Sequence, residues 1–189
     1  MREMTVYGVS FDLVGKQPIV LLKTANENRY LPIWIGHPEA AAILMKLQGS
    51  TPPRPLTHDL LTSILEELEC EVARITVTEM RENVFYARIT LVQGGQEIEI
   101  DSRPSDAIAL AVRVEAKIFA ADDVIEESGI EFDGEEEESV ARIAAASPLA
   151  ELDPAEFRAF LDRVTPEEFA QALEDDEAED DEAEDDPAL

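Results

Sequence analysis

The stretch VARITVTEMRENVFYARITLVQGGQEIEI, residues 72–100, decides the fold class of this chain. Two runs rich in β-branched and aromatic residues, 72–80 and 84–92, are followed by the alternating run Glu97–Ile100. Such runs are typical of β-strands, and the short polar or glycine-containing segments between them suit tight turns. The stretch therefore predicts three consecutive antiparallel strands, which form a β-meander.

The residues before this meander predict a second group of strands. Met4–Phe11 alternates in polarity, and Pro18–Leu22 and Tyr30–Ile35 are short apolar runs separated by polar turns. Trp34, in the third of these runs, is expected to lie in the core. An alanine-rich segment with apolar residues at helical spacing follows and predicts a helix at Pro38–Leu47.

A second helix is predicted to begin after the proline-rich connector 49–55, with Thr57 as its N-cap and Asp59 in its first turn. Its apolar residues recur at three- and four-residue spacing and predict a stripe that faces the core: Leu60, Leu61, Ile64, Leu65 and Leu68. Beyond the meander the pattern predicts a helix at Ser105–Val114, a strand at Lys117–Phe119 and a small helix at Asp122–Glu127. This order predicts an α+β fold, in which helices pack on a largely antiparallel sheet.

Charge divides the 189 residues into two parts. Residues 1–118 hold 16 acidic and 12 basic side chains, a net charge of −4, whereas residues 119–189 hold 27 acidic and 3 basic side chains, a net charge of −24. An acidic segment poor in apolar residues cannot bury enough surface to fold. We therefore predict a domain at 1–130, an acidic linker at 131–150, a short helical extension at 151–173 and a disordered acidic tail at 174–189.

Several classes of protein are excluded or disfavoured by composition. No run of about 18 apolar residues is present, so no membrane-spanning helix is expected. The N-terminus lacks the apolar segment of a signal peptide, which favours a cytoplasmic location. The single cysteine, Cys70, rules out an intrachain disulfide or a cysteine-based zinc cluster and is expected to be a buried or half-buried thiol.

Polar side chains are concentrated at two junctions between a loop and a helix, and the first is RPLTHD at 54–59. A histidine such as His58 can act as a general acid or base, and the planar guanidinium of Arg54 suits a phosphate group. The N-terminus of the helix also favours an anion. The alternative is structural: Thr57 and Asp59 cap the helix, and the other side chains have no catalytic role.

The second junction, DSRPSD at 101–106, repeats this order of residue types. Asp101 and Asp106 could share a divalent cation, since such cations prefer carboxylate oxygens. Alternatively, Asp106 could polarise a water molecule while Arg103 binds phosphate. In the structural alternative, Arg103 forms an ion pair with an aspartate at a capped helix. Glu39 is a weaker candidate, because a carboxylate in the first turn of a helix is explained by the helix dipole.

Four blocks of this sequence resemble the bifunctional nuclease domain family, which has also been classified as a domain of unknown function. The blocks are LPIWIGHPEAAAI (31–43), RPLTHDLL (54–61), FYARITL (85–91) and IDSRPSDAIALAVR (100–113). They are collinear with the family over roughly residues 1–125. The resemblance implies an α+β domain that assembles as a homo-oligomer, with degradation of both RNA and DNA in some members.

Carried over by motif, the resemblance implies roles for individual residues. The expected catalytic residues are His58, Asp59 and Asp106, and the expected phosphate-binding residues are Arg54 and Arg103. Asp101, Asp106 and Glu39 are the expected ligands of a metal ion, Mg²⁺ or Mn²⁺. Nucleic acid is the expected substrate.

Two functions remain open from the sequence. The first is a nuclease that hydrolyses phosphodiester bonds in RNA and DNA. The second is a non-catalytic binding or regulatory module whose acidic C-terminal region recruits a basic protein partner. The net charge supports the second, because affinity for nucleic acid comes largely from basic side chains. The family resemblance favours the first, and a nuclease is the predicted function.

Overall fold

The computed structural model of the chain describes residues 1–12 and 17–131, and the α+β fold is confirmed within them. The elements follow the predicted order. They are β1 (Arg2–Asp12), β2 (Gln17–Thr24), β3 (Arg29–Trp34), α1 (His37–Leu47), α2 (Thr57–Glu67), β4 (Glu71–Arg81), β5 (Val84–Gln93), β6 (Gln96–Ser102), α3 (Pro104–Val114), β7 (Lys117–Ala120), α4 (Asp122–Ser128) and β8 (Ile130–Glu131).

The eight strands form one sheet in the order β6-β5-β4-β7-β1-β2-β3-β8. The predicted meander is confirmed, since β4, β5 and β6 are neighbours with antiparallel pairing. The β1–β2 and β2–β3 pairs are also antiparallel. Helix α3 returns the chain to the centre of the sheet, where β7 pairs in parallel with β4 and antiparallel with β1. This central parallel pair joins the two predicted strand groups into one sheet.

The core lies between the sheet and helices α1 and α3. Ile75 in β4 pairs with Ile89 in β5 and with Ile118 in β7, so these three side chains share one face. Ile108 of α3 is fully buried in the same apolar cluster. The opposite face carries charge: Arg74 makes two hydrogen bonds to the Glu97 carboxylate, at 3.2 and 3.1 Å. The alternation of each strand therefore separates an apolar face from a polar one.

Two details of helix α2 differ from the prediction. The N-cap is Leu56 rather than Thr57, because the Asp59 carboxylate accepts the Leu56 backbone N–H at 2.8 Å and so satisfies the first turn. The predicted core-facing stripe is too wide: Leu61 and Leu65 pack against the core. The remaining apolar residues of the stripe are exposed because α2 packs on α3 along one side; they are Leu60, Ile64 and Leu68.

Trp34 also differs from the prediction, because it is half exposed. Ile33 and Ile35 on either side of it are buried, so the alternation of β3 directs residue 34 to the other face of the sheet. Cys70 is half-buried, as predicted.

The predicted linker, helical extension and acidic tail lie outside the described residues, apart from Glu131 at the start of the linker, and stay predictions. Within the described part of the chain, no helix is long and apolar enough to cross a membrane. The cytoplasmic location stays a prediction of the sequence.

Candidate active site at three helix N-termini

The first turns of α1, α2 and α3 converge, and a continuous set of hydrogen bonds joins them. Glu39 lies in the first turn of α1, His58 is the second residue of α2, and Asp106 lies in the first turn of α3. Arg103, the N-cap of α3, contacts Glu39 and Asp106, and Asp106 contacts His58. The fold thus brings together side chains that are 64 and 48 positions apart in the sequence.

Arg103 is the cation at the centre of this arrangement. Its Nε donates to Asp106 Oδ2 at 2.7 Å, and its Nη2 donates to Asp106 Oδ1 at 3.2 Å and to Glu39 Oε1 at 2.7 Å. The side chain is 66% exposed, and its Nη1 has no hydrogen bond to a described residue. An arginine has five N–H donors, so donors remain for an anion that approaches from solvent.

Gly36, the N-cap of α1, leaves room for the Glu39 carboxylate. A Cβ atom added at residue 36 would overlap Glu39 Oε2 and would force that side chain to rotate. Glu39 is largely buried, whereas its partner Arg103 is exposed. The glycine therefore helps Glu39 to reach Arg103.

His58 and Asp106 form the second part of the arrangement. His58 Nε2 lies 3.1 Å from Asp106 Oδ1, and the histidine side chain is only 10% exposed. Burial raises the pKa of Asp106, but hydrogen bonds from Arg103 and His58 lower it more, so it lies below its usual value. The Asp106 carboxylate is thus ionised at neutral pH and can stabilise a positive charge on the imidazole.

Asp59 has different partners from its neighbour His58. One carboxylate oxygen accepts the Leu56 N–H, and the other accepts Arg113 Nε at 2.6 Å. Burial raises the pKa of Asp59, but the Leu56 N–H and the Arg113 guanidinium lower it more, so it lies below its usual value. Both oxygens of Asp59 are thus engaged in contacts that fix the start of α2.

The remaining predicted residues are not joined to this arrangement by a hydrogen bond to a described residue. Arg54 is exposed on the connector before α2. Asp101 is exposed on β6, in register with Arg88. Among the described residues, no three His, Cys, Asp or Glu side chains are grouped so that they could hold a metal ion. Glu39 and Asp106 both bind Arg103, and Asp101 has no hydrogen bond to either of them, so the metal site stays a prediction of the sequence.

Arg113 is the residue that sequence reasoning missed. It lies in the last turn of α3, and its side chain is only 5% exposed because it is enclosed by all three helices. A signal for it exists in the sequence. Arg113 lies seven positions, about two helical turns, after Asp106, so the two residues share one side of an otherwise alanine-rich apolar helix. A basic residue on such a face requires a buried acceptor.

The Asp59 contacts predict a dependence of stability on pH. Because the pKa of Asp59 is lowered in the folded state, its stabilising effect is complete above the pKa of the unfolded chain, about 3.9. The effect is lost as pH falls through the lower folded-state pKa. In urea titrations, Asp59→Asn is expected to destabilise the protein most at neutral pH, and its difference from wild type is expected to shrink below about pH 4.

The matched control for this titration is Asp101→Asn, since Asp101 is exposed and has no ion pair with a described residue. That variant is expected to follow the wild-type pH dependence. An Asp59→Asn difference that stays constant between pH 7 and pH 3 contradicts the prediction.

Comparison with known proteins supports the family predicted from the four blocks. The model of the bifunctional nuclease domain matches residues 20–133. An uncharacterized protein of Mycobacterium tuberculosis (strain CDC 1551 / Oshkosh) is 37% identical over 169 residues, which cover 89% of this chain and 98% of that protein. Bifunctional nuclease 1 of Oryza sativa subsp. indica is 29% identical over 110 residues, which cover 57% of this chain and 33% of the rice protein.

The family match extends over more than half of the chain and includes the three helices whose first turns converge. The prediction from the sequence blocks is therefore confirmed. The chain belongs to the bifunctional nuclease domain family.

Proposed function

We propose that this protein is a phosphodiester hydrolase that cleaves RNA and DNA at the converging N-termini of α1, α2 and α3. The observation that carries the proposal is the unbroken set of hydrogen bonds from Glu39 through Arg103 and Asp106 to His58. It combines an exposed cation with a histidine held by an ionised carboxylate. The name of the rice relative, bifunctional nuclease, supports the same reaction class.

Arg103 is the proposed phosphate-binding residue. Its side chain is largely exposed, its Nη1 supplies two N–H donors, and its position as the N-cap of α3 places it beside the backbone N–H groups at that helix N-terminus. Arg54, exposed on the connector four residues before His58, is proposed to contact a neighbouring phosphate. Glu39 holds the guanidinium from its other side and limits its rotation.

His58 is the proposed proton-transfer residue. Its Nε2 faces Asp106, and its Nδ1, which has no hydrogen bond to a described residue, is the proposed proton acceptor. Nδ1 accepts a proton from water as the water oxygen forms a bond to phosphorus. The bond from phosphorus to the leaving oxygen then breaks, and that oxygen receives the proton from the imidazolium. Asp106 stabilises the imidazolium between these two steps.

A role for a metal ion is also part of this proposal, and cleavage assays with Mg²⁺, with Mn²⁺ and with EDTA test it. Asp101, Asp106 and Glu39 are the proposed ligands, and a divalent cation there would neutralise charge on the phosphate. Because Asp106 and Glu39 both bind Arg103, the proposed proton transfer uses side chains alone.

Cleavage of labelled single-stranded RNA and DNA by the purified protein tests the function. Full-length protein and residues 1–130 are each assayed with Mg²⁺, with Mn²⁺ and with EDTA. The expected result is cleavage of both nucleic acids that co-purifies with the protein through successive columns. Activity that increases on removal of residues 131–189 indicates that their negative charge repels the substrate. Absence of cleavage in every condition contradicts the proposal.

The second candidate function is a binding module, and the observation that favours it is the net charge of −24 over residues 119–189. In this alternative the acidic C-terminal region recruits a basic protein. Retention of a basic partner by the full-length protein but not by residues 1–130, without cleavage by either, would favour this function over the first.

We also propose that the chain forms a homo-oligomer. The exposed apolar side chains of α2 and its C-cap support this, because together they form an apolar stripe along the outer side of the helix; they are Leu60, Ile64 and Leu68. Light scattering by the purified protein reports the number of chains in each particle.

A further inference from the structure

Arg113 has one hydrogen-bond partner on each of the three helices that form the candidate site. Its Nε donates to Asp59 Oδ1 of α2 at 2.6 Å, its Nη2 donates to the Ala42 carbonyl of α1 at 3.2 Å, and its Nη1 donates to the Ala109 carbonyl of α3 at 2.8 Å. The guanidinium is nearly completely buried. A buried cation is costly unless it is paired and hydrogen-bonded; here the Asp59 carboxylate supplies the opposite charge, and three of the five N–H groups have acceptors among the described residues.

The same three helices carry the side chains of the candidate site. α1 carries Glu39, α2 carries His58, and α3 begins with Arg103 and Asp106. The distance between His58 Nε2 and Asp106 Oδ1 therefore depends on where α2 lies along α3. Asp59 follows His58 directly, so a contact that fixes Asp59 also fixes the backbone of the histidine.

We propose that Arg113 is a positioning residue that holds His58 in hydrogen-bond contact with Asp106 by fixing Asp59 and the carbonyl of Ala42. Asp59 then acts with Arg113 as a positioning residue and does not transfer a proton. The catalytic consequence rests on the proposed function, whereas the effect on the His58 side chain does not. A shift of about 1 Å at reacting groups can lower a rate by about 100-fold, so a displaced α2 is expected to affect the reaction strongly.

The test replaces Arg113 with methionine, which keeps much of the side-chain length and removes the hydrogen bonds. The matched control is Arg29→Met, because Arg29 is the next most buried of the described ion-paired arginines and contacts Glu131 away from the site. The readout is the imidazole NMR signal of His58 in full-length protein with ¹³C-labelled histidine. The chain has two histidines, so His37→Gln assigns the signals.

The expected result is that Arg113→Met shifts the His58 signal and that Arg29→Met leaves it in place. Where cleavage is measurable, Arg113→Met is also expected to lower kcat by about 10- to 100-fold while KM changes by less than about 3-fold. Asp59→Asn removes the charge opposite Arg113 and leaves the Ala42 and Ala109 contacts possible. It is the second variant if Arg113→Met does not fold, and it is expected to shift the His58 signal in the same way.

An unchanged His58 signal and unchanged kcat in the folded variants overturn the positioning role, even if their stability is lowered. A shifted His58 signal without any cleavage by wild-type protein supports the positioning role and contradicts the proposed nuclease instead. The two failures are therefore distinguishable.

Discussion

Replacing His58 with alanine is expected to lower the rate of the proposed RNA and DNA cleavage by about 100- to 10,000-fold, the usual contribution of a general acid or base. The variant removes the proposed proton acceptor and leaves Arg103 paired with Asp106 and Glu39, so binding of the substrate phosphate is retained. We therefore expect kcat to fall much more than KM rises. Initial rates over a range of concentrations of labelled single-stranded RNA measure both quantities.

The matched control is His37→Ala, which removes the other histidine of the chain from an exposed position at the start of α1. It is expected to retain the wild-type rate. Asp106→Asn keeps the shape of the side chain and removes the charge that stabilises the imidazolium, so its rate is expected to resemble that of His58→Ala. Wild-type activity in a folded His58→Ala protein would show that another residue, or a contaminating nuclease, performs the cleavage.

Replacing Ile108 with alanine lowers the free energy of unfolding by about 2–5 kcal/mol, the usual cost of a large cavity in a core. Ile108 is fully buried in α3, between the sheet and the other helices. Typical domains are stable by about 5–15 kcal/mol, so this single change removes a large fraction of the total. Because α3 also carries Arg103 and Asp106, we expect cleavage to be lost at a lower temperature than in wild type.

Urea unfolding followed by circular dichroism measures this change. The control is Ile100→Ala in β6, which truncates the same residue type at an exposed position. It is expected to change the free energy of unfolding by less than about 0.5 kcal/mol. An equal loss in both variants would contradict the assignment of α3 to the core and of Ile100 to the surface.

Most of the fold could be predicted from local patterns. The meander at 72–100 and the helix at 105–114 have strong periodicity and clear boundaries, and both are present in the structure. Local patterns could not predict that β7 lies between β4 and β1, because strand order depends on which edges meet after α3 crosses the sheet. Local patterns also could not predict that Trp34 is exposed whereas Ile33 is buried, since a continuously apolar run has no alternation that identifies its buried face.

The width of the apolar stripe on α2 was predicted incorrectly for a similar reason. Spacing alone places Leu60, Leu61, Ile64 and Leu65 within one broad face of a helix. How much of that face is covered depends on the neighbouring elements, and α2 packs against α3 with only part of it. Leu61 and Leu65 are therefore inside, and Leu60 and Ile64 are outside.

The chemistry of the candidate site could be predicted in part. The two Arg-Pro junctions identified His58, Arg103 and Asp106 by residue type and by their position at helix starts, and the family resemblance pointed to the same residues. Their contacts with one another are properties of the folded chain, since His58 and Asp106 belong to different helices. Asp59, grouped with His58 by adjacency, instead faces Arg113.

Residue types and their spacing were sufficient for the α+β class and for the approximate positions of the three helices, because these depend on interactions between near neighbours in the chain. The family was predicted from the resemblance of four sequence blocks. The pairing of Arg103 with Glu39, of His58 with Asp106 and of Arg113 with Asp59 was decided only when the helices packed together. Each of these pairs joins side chains at least 48 positions apart. Packing sets such distances through the shape of the whole core, and no local pattern encodes that shape.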